Sequence, residues 1–215
     1  MRIGIVGSGQ MGSALGRTWA SLGHELFFSG RNAARARALA AEIGGPARAG
    51  SMREAVAFGD VVLVSVLYAG LLGTLVEAGA SDGAFVGKTI IDCNNAVEVD
   101  GFAVVTGGGL SMAEQIALTA RGASVVKAFH LCQASVWEMR PPVFDGRPLS
   151  VPLCGNEPHA KAQVSALIEE MGCRPVDLGP LSQARNLEPM AAVIIKLLFG
   201  GATPSTNFNL VSAGS

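Results

Sequence analysis

Near its start the chain carries Gly7-Ser8-Gly9-Gln10-Met11-Gly12, a G-x-G-x-x-G whose spacing can wrap a pyrophosphate. Glycine turns with this spacing also occur without any ligand, so context decides. The apolar run Arg2–Val6 feeds straight into the glycines, and apolar residues at helical spacing follow as far as Leu22. That is the strand–loop–helix setting of a dinucleotide site. There Gly7 permits the tight turn, Gly9 admits the phosphates, and Gly12 lets helix pack on strand. Backbone N–H groups at the helix start, from Ser8 to Met11, would face the anion.

About 20 residues past the glycines, NAD-binding proteins place an acidic residue on the ribose hydroxyls. Here the sequence reads Ser29-Gly30-Arg31-Asn32, with Arg35 one turn on. A carboxylate would repel a 2′-phosphate, whereas a hydroxyl and two guanidinium groups would bind it. The pattern favours NADP(H) over NAD(H), against the plainer reading of a solvated basic helix start.

A third stretch, Lys127-Ala128-Phe129-His130, closes an apolar strand. In open α/β sheets the carboxyl ends of strands border the ligand crevice. His130 therefore either touches the nicotinamide or second substrate, or only caps a strand end. His24 and His159 sit at helix boundaries and are expected at the surface. The four cysteines (Cys93, Cys132, Cys154, Cys173) form no C-x-x-C pair, and three of them fall in apolar runs. They read as buried hydrophobes rather than metal ligands or a dithiol.

These residues need elements to hold them. Strands are expected at Arg2–Val6, Glu25–Phe28, Ala47–Ala49, Val61–Val66, Lys88–Cys93, Ser124–Phe129, Leu149–Cys154 and Arg174–Leu178. Helices are expected at Gly12–Leu22, Arg31–Ile43, from Ser51, at Leu71–Ala78, after Ser111, and at Pro158–Met171 and Gln183–Phe199. Ser111 with Glu114 fits a capping box. The alternation implies an α/β fold, a doubly wound, mostly parallel Rossmann-type sheet with extra C-terminal strand–helix units. The proline-rich Pro141–Arg147 is the best boundary candidate. One domain over residues 1–200 and an irregular tail over 201–215 are expected.

With 215 residues, 49% of them hydrophobic, the chain can bury a sizeable core. Its 16 basic and 17 acidic side chains give a net charge of −1, so no global field is available for nucleic acid or an anionic membrane. The apolar stretch from Asp60 to Glu77 is shorter than the ~20 residues of a spanning helix and is interrupted by Gly70 and Gly73. The expected location is the cytoplasm, and the expected partner a small-molecule redox substrate.

Several stretches together resemble the F420-dependent NADP oxidoreductases, whose fold recurs in the oxidoreductase domain of the STEAP metalloreductases. They are RIGIVGSGQMG (2–12), SGRNAARA (29–36), SMAEQIA (111–117), VVKAFH (125–130), VPLCGNEPHAK (151–161) and RPVDLGPLSQARNLEP (174–189). The resemblance implies that Ser8, Gly9, Gln10 and Met11 hold the pyrophosphate of NADP(H). It implies that Gly30, Arg31 and Arg35, with Ser29, lie at the 2′-phosphate. The ring-side crevice would be bordered by Val66, Asn94 and His130. Hydride would pass between NADPH and the deazaflavin coenzyme F420, a transfer that needs orientation more than an acid or base.

Three alternatives stay open: an NADPH-dependent flavin (FMN or FAD) or ferric reductase, a β-hydroxyacid or imine reductase, and a non-catalytic NADP(H) sensor. The β-hydroxyacid and imine reductases need a larger helical domain than Gln183–Phe199 supplies. That apolar helix could also serve a homodimer.

Overall fold

The computed structural model describes residues 1–98 and 102–201. Their elements run β1 (Arg2–Val6), α1 (Gln10–Ser21), β2 (Glu25–Ser29), α2 (Ala33–Ile43), β3 (Ala47–Ala49), α3 (Met52–Phe58) and β4 (Val61–Val64). Next come α4 (Leu71–Glu77), β5 (Thr89–Asp92), α5 (Met112–Thr119), β6 (Ser124–Lys127) and α6 (Ala134–Trp137). The chain closes with β7 (Val143–Phe144), β8 (Arg147–Pro148), β9 (Ser150–Gly155), α7 (Pro158–Glu170), β10 (Arg174–Asp177) and α8 (Ala184–Phe199). The expected tail lies outside the described residues, Gly201 apart.

The main sheet is ordered β10-β9-β6-β5-β4-β1-β2-β3. Its strands from β3 to β6 are all parallel, in the order of a dinucleotide-binding sheet. The chain reverses direction across the sheet between β1 and β4, which opens a crevice at their carboxyl ends. β9 and β10 extend the sheet as a parallel pair, joined antiparallel to β6 through Val126–Gly155 and Lys127–Cys154. This is the doubly wound Rossmann-type architecture with an appended C-terminal unit.

Side chains alternate across the strands and divide the core into two layers. Ile3, Ile5, Leu63, Ile91 and Val126 face α1, α2 and α7, and pack on Leu15, Trp19, Leu39, Val164 and Leu167. Val6, Val62, Val64, Ile90 and Val125 face α3, α4, α5 and α8, and pack on Val56, Leu75, Ile116 and Leu187. The central strands are thus apolar on both faces, which is why they read as continuous hydrophobic runs.

Helix boundaries follow local chemistry. Asn32 caps α2 by accepting the Arg35 backbone N–H at 2.9 Å, so that helix starts at Ala33 rather than Arg31. Ser51–Glu54 and Ser111–Glu114 form capping boxes at the starts of α3 and α5. In the proline-rich connection that starts at Pro141, Val143–Phe144 and Arg147–Pro148 pair as a short hairpin.

The expected placement of His24 is corrected as well. His24 is not at the surface but buried, its Nε2 2.6 Å from Glu170 Oε2 and its Nδ1 3.0 Å from the Met1 amine. The turn after α1 folds back under the end of α7, and two long-range polar partners make burial affordable. His159, on α7, is exposed as expected.

Candidate cofactor and second-substrate site

The glycine loop is shaped by close approaches on two sides. Gly7 has φ +114°, and a Cβ there would stand 1.9 Å from the Ser65 carbonyl oxygen, so the loops after β1 and β4 touch. A Cβ on Gly12 would meet the Gly7 carbonyl oxygen at 2.0 Å, which draws α1 against its own loop. Gly9 differs from both: nothing among the described residues lies within 4 Å of its missing Cβ, and its φ of −74° is open to any residue. The packing of the chain gives no reason for a glycine here. A ligand approaching the backbone does.

No side chain caps α1 and no acidic residue occupies its first turn. The N–H groups at its start and the positive end of its dipole are therefore open to an anion. Gln10 is exposed, Met11 half-buried, and Ser8 buried beneath them.

At the end of β2, Gly30 has φ +156°, and a Cβ there would stand 3.3 Å from the Ser8 backbone nitrogen. Arg31 and Arg35 are exposed, and neither guanidinium has a partner among the described residues. Ser29 is fully buried and donates its hydroxyl to the Ile5 carbonyl at 2.8 Å, so it ties β2 to β1 beneath the loop. A groove of about 520 Å³ between α1, α2 and α6 adjoins this region and shares Gln10 and Arg35 with it.

On the ring side of the crevice, Asn94 follows β5. Its Nδ2 donates to the Val64 carbonyl and to Asp92 Oδ1, both at 2.8 Å. Its Oδ1 accepts the Val66 backbone N–H at 2.9 Å. Asn94 is 7% exposed and committed to the protein, so it shapes the crevice wall through Val66, which is half-buried.

His130 follows β6. The preceding Phe129 adopts φ +60°, rare for a bulky residue, and its ring is held edge-on between Trp19 and Trp137 at centroid distances of 5.7 and 5.2 Å. That clamp turns the backbone at the strand end. His130 itself is 4% exposed, and neither ring nitrogen has a partner among the described residues. Asn95 donates Nδ2 to the His130 carbonyl at 2.7 Å, and its own Oδ1 has no partner among the described residues. Burial, and then the positive charge of Lys127, push the imidazole well below its ordinary pKa, so the ring is neutral.

Sequence reasoning did not single out the buried charges behind this wall. Lys127, Asp92 and Glu188 meet there at 1% exposure or less. Cys93, Cys154 and Cys173 are buried as expected, whereas Cys132 is half-buried; burial pushes the thiols of Cys93 and Cys154 up to about 12 and those of Cys132 and Cys173 to about 11. Among the described residues no cluster of three metal-ligating side chains occurs, and no helix is long and apolar enough to cross a membrane.

Residues 2–96 match the family model described as NADP oxidoreductase, coenzyme F420-dependent. A solved structure from Arthrobacter sp. FB24, described as an F420-dependent NADP-reductase, superposes with a TM-score of 0.82 at 27% identity and covers 100% of both chains. A hypothetical protein from Sinorhizobium meliloti superposes with a TM-score of 0.73 at 28% identity, over 85% of this chain and 86% of that one. Metalloreductase STEAP3 of Rattus norvegicus is 28% identical over 207 residues, 95% of this chain; the chain spans 38% of that protein's length. The family model at the glycine-loop half and the end-to-end structural match together support assigning this chain to the coenzyme F420-dependent NADP oxidoreductases.

Proposed function

We propose that the chain binds NADP(H) along the glycine loop and exchanges hydride with coenzyme F420 in the crevice at the strand ends. The observation that carries the cofactor half is the empty space above Gly9 at an uncapped helix start. Similarity to the coenzyme F420-dependent family model over residues 2–96 and to the Arthrobacter structure supports the acceptor half.

The N–H groups of Gln10 and Met11 bind the pyrophosphate, with Gly9 leaving room and Ser8 beneath. Arg31 and Arg35 take the 2′-phosphate by charge-assisted hydrogen bonds, and the absence of an acid at that position removes the repulsion an NAD-type site would impose. Gly30 keeps that end of β2 open. When bound, NADPH supplies the hydride.

Val66, held by Asn94, forms one wall of the ring site, and His130 with Asn95 forms the other. Buried polar atoms without partners are uncommon. The free His130 nitrogens and Asn95 Oδ1 therefore suit the polar edge of a deazaflavin ring. A neutral imidazole can donate to one carbonyl or accept from one N–H there without adding charge.

Stopped-flow mixing of the NADPH-loaded protein with F420, FMN, FAD and ferric chelates tests the reaction. Direct transfer requires deuterium from one face of C4 of NADPH to appear at C5 of the reduced deazaflavin without loss to solvent. No deazaflavin turnover, alongside fast reduction of FMN or a ferric chelate, would refute the acceptor. The similarity to a metalloreductase along 95% of the chain makes that flavin or ferric reading the second one. Turnover with no acceptor would favour the sensor.

The exposed apolar residues Val193, Leu197 and Phe199 on α8 support a homodimer. With no spanning helix among the described residues, the chain is proposed to act in the cytoplasm on a small-molecule redox substrate.

A further inference from the structure

Asp92 ends β5, Lys127 ends β6 and Glu188 lies one turn into α8, and all three are shut away from water. Lys127 Nζ donates to Asp92 Oδ2 at 2.9 Å and to the Asn94 carbonyl, and stands 3.3 Å from Glu188 Oε1. Glu188 also accepts the backbone N–H groups of Met112 at 3.0 Å and Ala113 at 3.2 Å, at the start of α5. Asp92 Oδ1 accepts from the backbone N–H of Asn94 at 2.9 Å and from its Nδ2 at 2.8 Å. Burial alone would lower the Lys127 pKa, but the two carboxylates hold it above its ordinary value, so the ammonium stays charged.

Three buried charges are a poor way to fill space. Apolar side chains of the same volume usually stabilise a fold as well or better. What charges add is direction, because each hydrogen bond fixes an angle as well as a distance. Followed outward, the bonds run Glu188–Lys127–Asp92–Asn94 and end on the backbone N–H of Val66. The line therefore starts on the C-terminal helix and stops at the crevice wall.

We propose that Lys127 is a positioning residue for hydride transfer, orienting Asp92 and through it the Asn94 side chain that pins the Val66 wall beside the nicotinamide. The proposal rests on the placement of the nicotinamide given above. Lys127 touches neither cofactor nor substrate. Its effect is on where the ring sits, and displacement of reacting groups by about 1 Å can cost on the order of a hundredfold in rate.

Lys127→Met alone would leave two carboxylates facing each other in a dry pocket and can fail to fold. The better variant removes all three charges at nearly constant volume: Asp92→Asn, Lys127→Met and Glu188→Gln together. NADPH affinity, measured by titration, should stay within about twofold, because the glycine loop and both arginines are untouched. Single-turnover hydride transfer to F420 should fall at least about tenfold, and emission from the bound nicotinamide should move toward that of free NADPH. An unchanged transfer rate with unchanged emission would overturn the proposal.

If the triple variant does not fold, Asp92→Asn serves, read by hydrogen exchange. Its Val66 amide should exchange at least about tenfold faster while Ile5 and Leu63 keep wild-type protection. Equal protection at Val66 would overturn the proposal. A wild-type chain that binds NADPH but never reduces F420 refutes the acceptor, not the positioning, because the emission and exchange measurements need no acceptor.

Discussion

The Cβ that Gly12 lacks would lie 2.0 Å from the carbonyl oxygen of Gly7, inside the loop's own backbone, whereas the Cβ that Gly9 lacks would meet nothing among the described residues. Two glycines of one motif are thus required for different reasons, and substitution separates them. Gly12→Ala should destabilise the fold by about 1–3 kcal/mol in denaturant titrations, as overpacking does. Gly9→Ala should unfold like the wild type and yet weaken NADPH by at least about tenfold, or about 1.4 kcal/mol. Normal NADPH binding by Gly9→Ala would remove the pyrophosphate from this loop.

Arg31 is exposed and has no partner among the described residues, so its loss should cost the fold nothing. A charge-assisted bond to a 2′-phosphate implies that Arg31→Ala weakens NADPH by about 10- to 150-fold. NADH, which lacks the phosphate, should bind as before. Isothermal titration with both cofactors checks this, and equal losses would make Arg31 structural.

The neutral, buried His130 makes stability depend on pH. Its folded pKa lies well below the unfolded value of 6.5, so between the two the unfolded chain binds the extra proton. The stability is fully present above pH 6.5 and is lost as pH falls toward the folded pKa. The loss approaches about 1.4 kcal/mol per pH unit. Urea midpoints from pH 7.5 to 5.5 should fall less steeply for His130→Gln than for wild type. Equal slopes would mean that the imidazole already reaches water.

The cysteines, at about 11 to 12, carry almost no thiolate at neutral pH. An aromatic disulfide reagent should therefore label none of the four in the native protein within minutes, and all four in guanidinium. Rapid native labelling would show that the core opens locally.

Most of the parallel half of the fold was legible in the sequence, because each strand there is a short apolar run stopped by a turn or cap. The cofactor loop was legible for the same reason, its glycines falling between strand and helix. Three features were not. The four residues of α6 are too few to show a period, and α6 is fixed from outside by Thr18, whose Oγ1 donates to the Trp137 carbonyl at 2.7 Å. His24 looks solvent-facing until Glu170, 146 positions away, arrives. Lys127 lies in a strand where alternation allows a polar residue, and its partners are 35 and 61 positions distant, so neither burial nor purpose could be read locally.

The antiparallel joint between β6 and β9 sets where the β7–β8 hairpin stands. Since Lys127 pairs with Cys154, the start of β9 at Ser150 runs past the end of β6 by about 13 Å, at 3.3 Å per residue. The β7–β8 hairpin that feeds it therefore stands at the crevice end of the molecule, outside the cofactor loop and tied to neither core layer. Lengthening or trimming this hairpin would redraw the rim of the proposed acceptor site while leaving the glycine loop untouched. One scaffold could in this way be retailored to acceptors of different bulk by editing a single exposed turn.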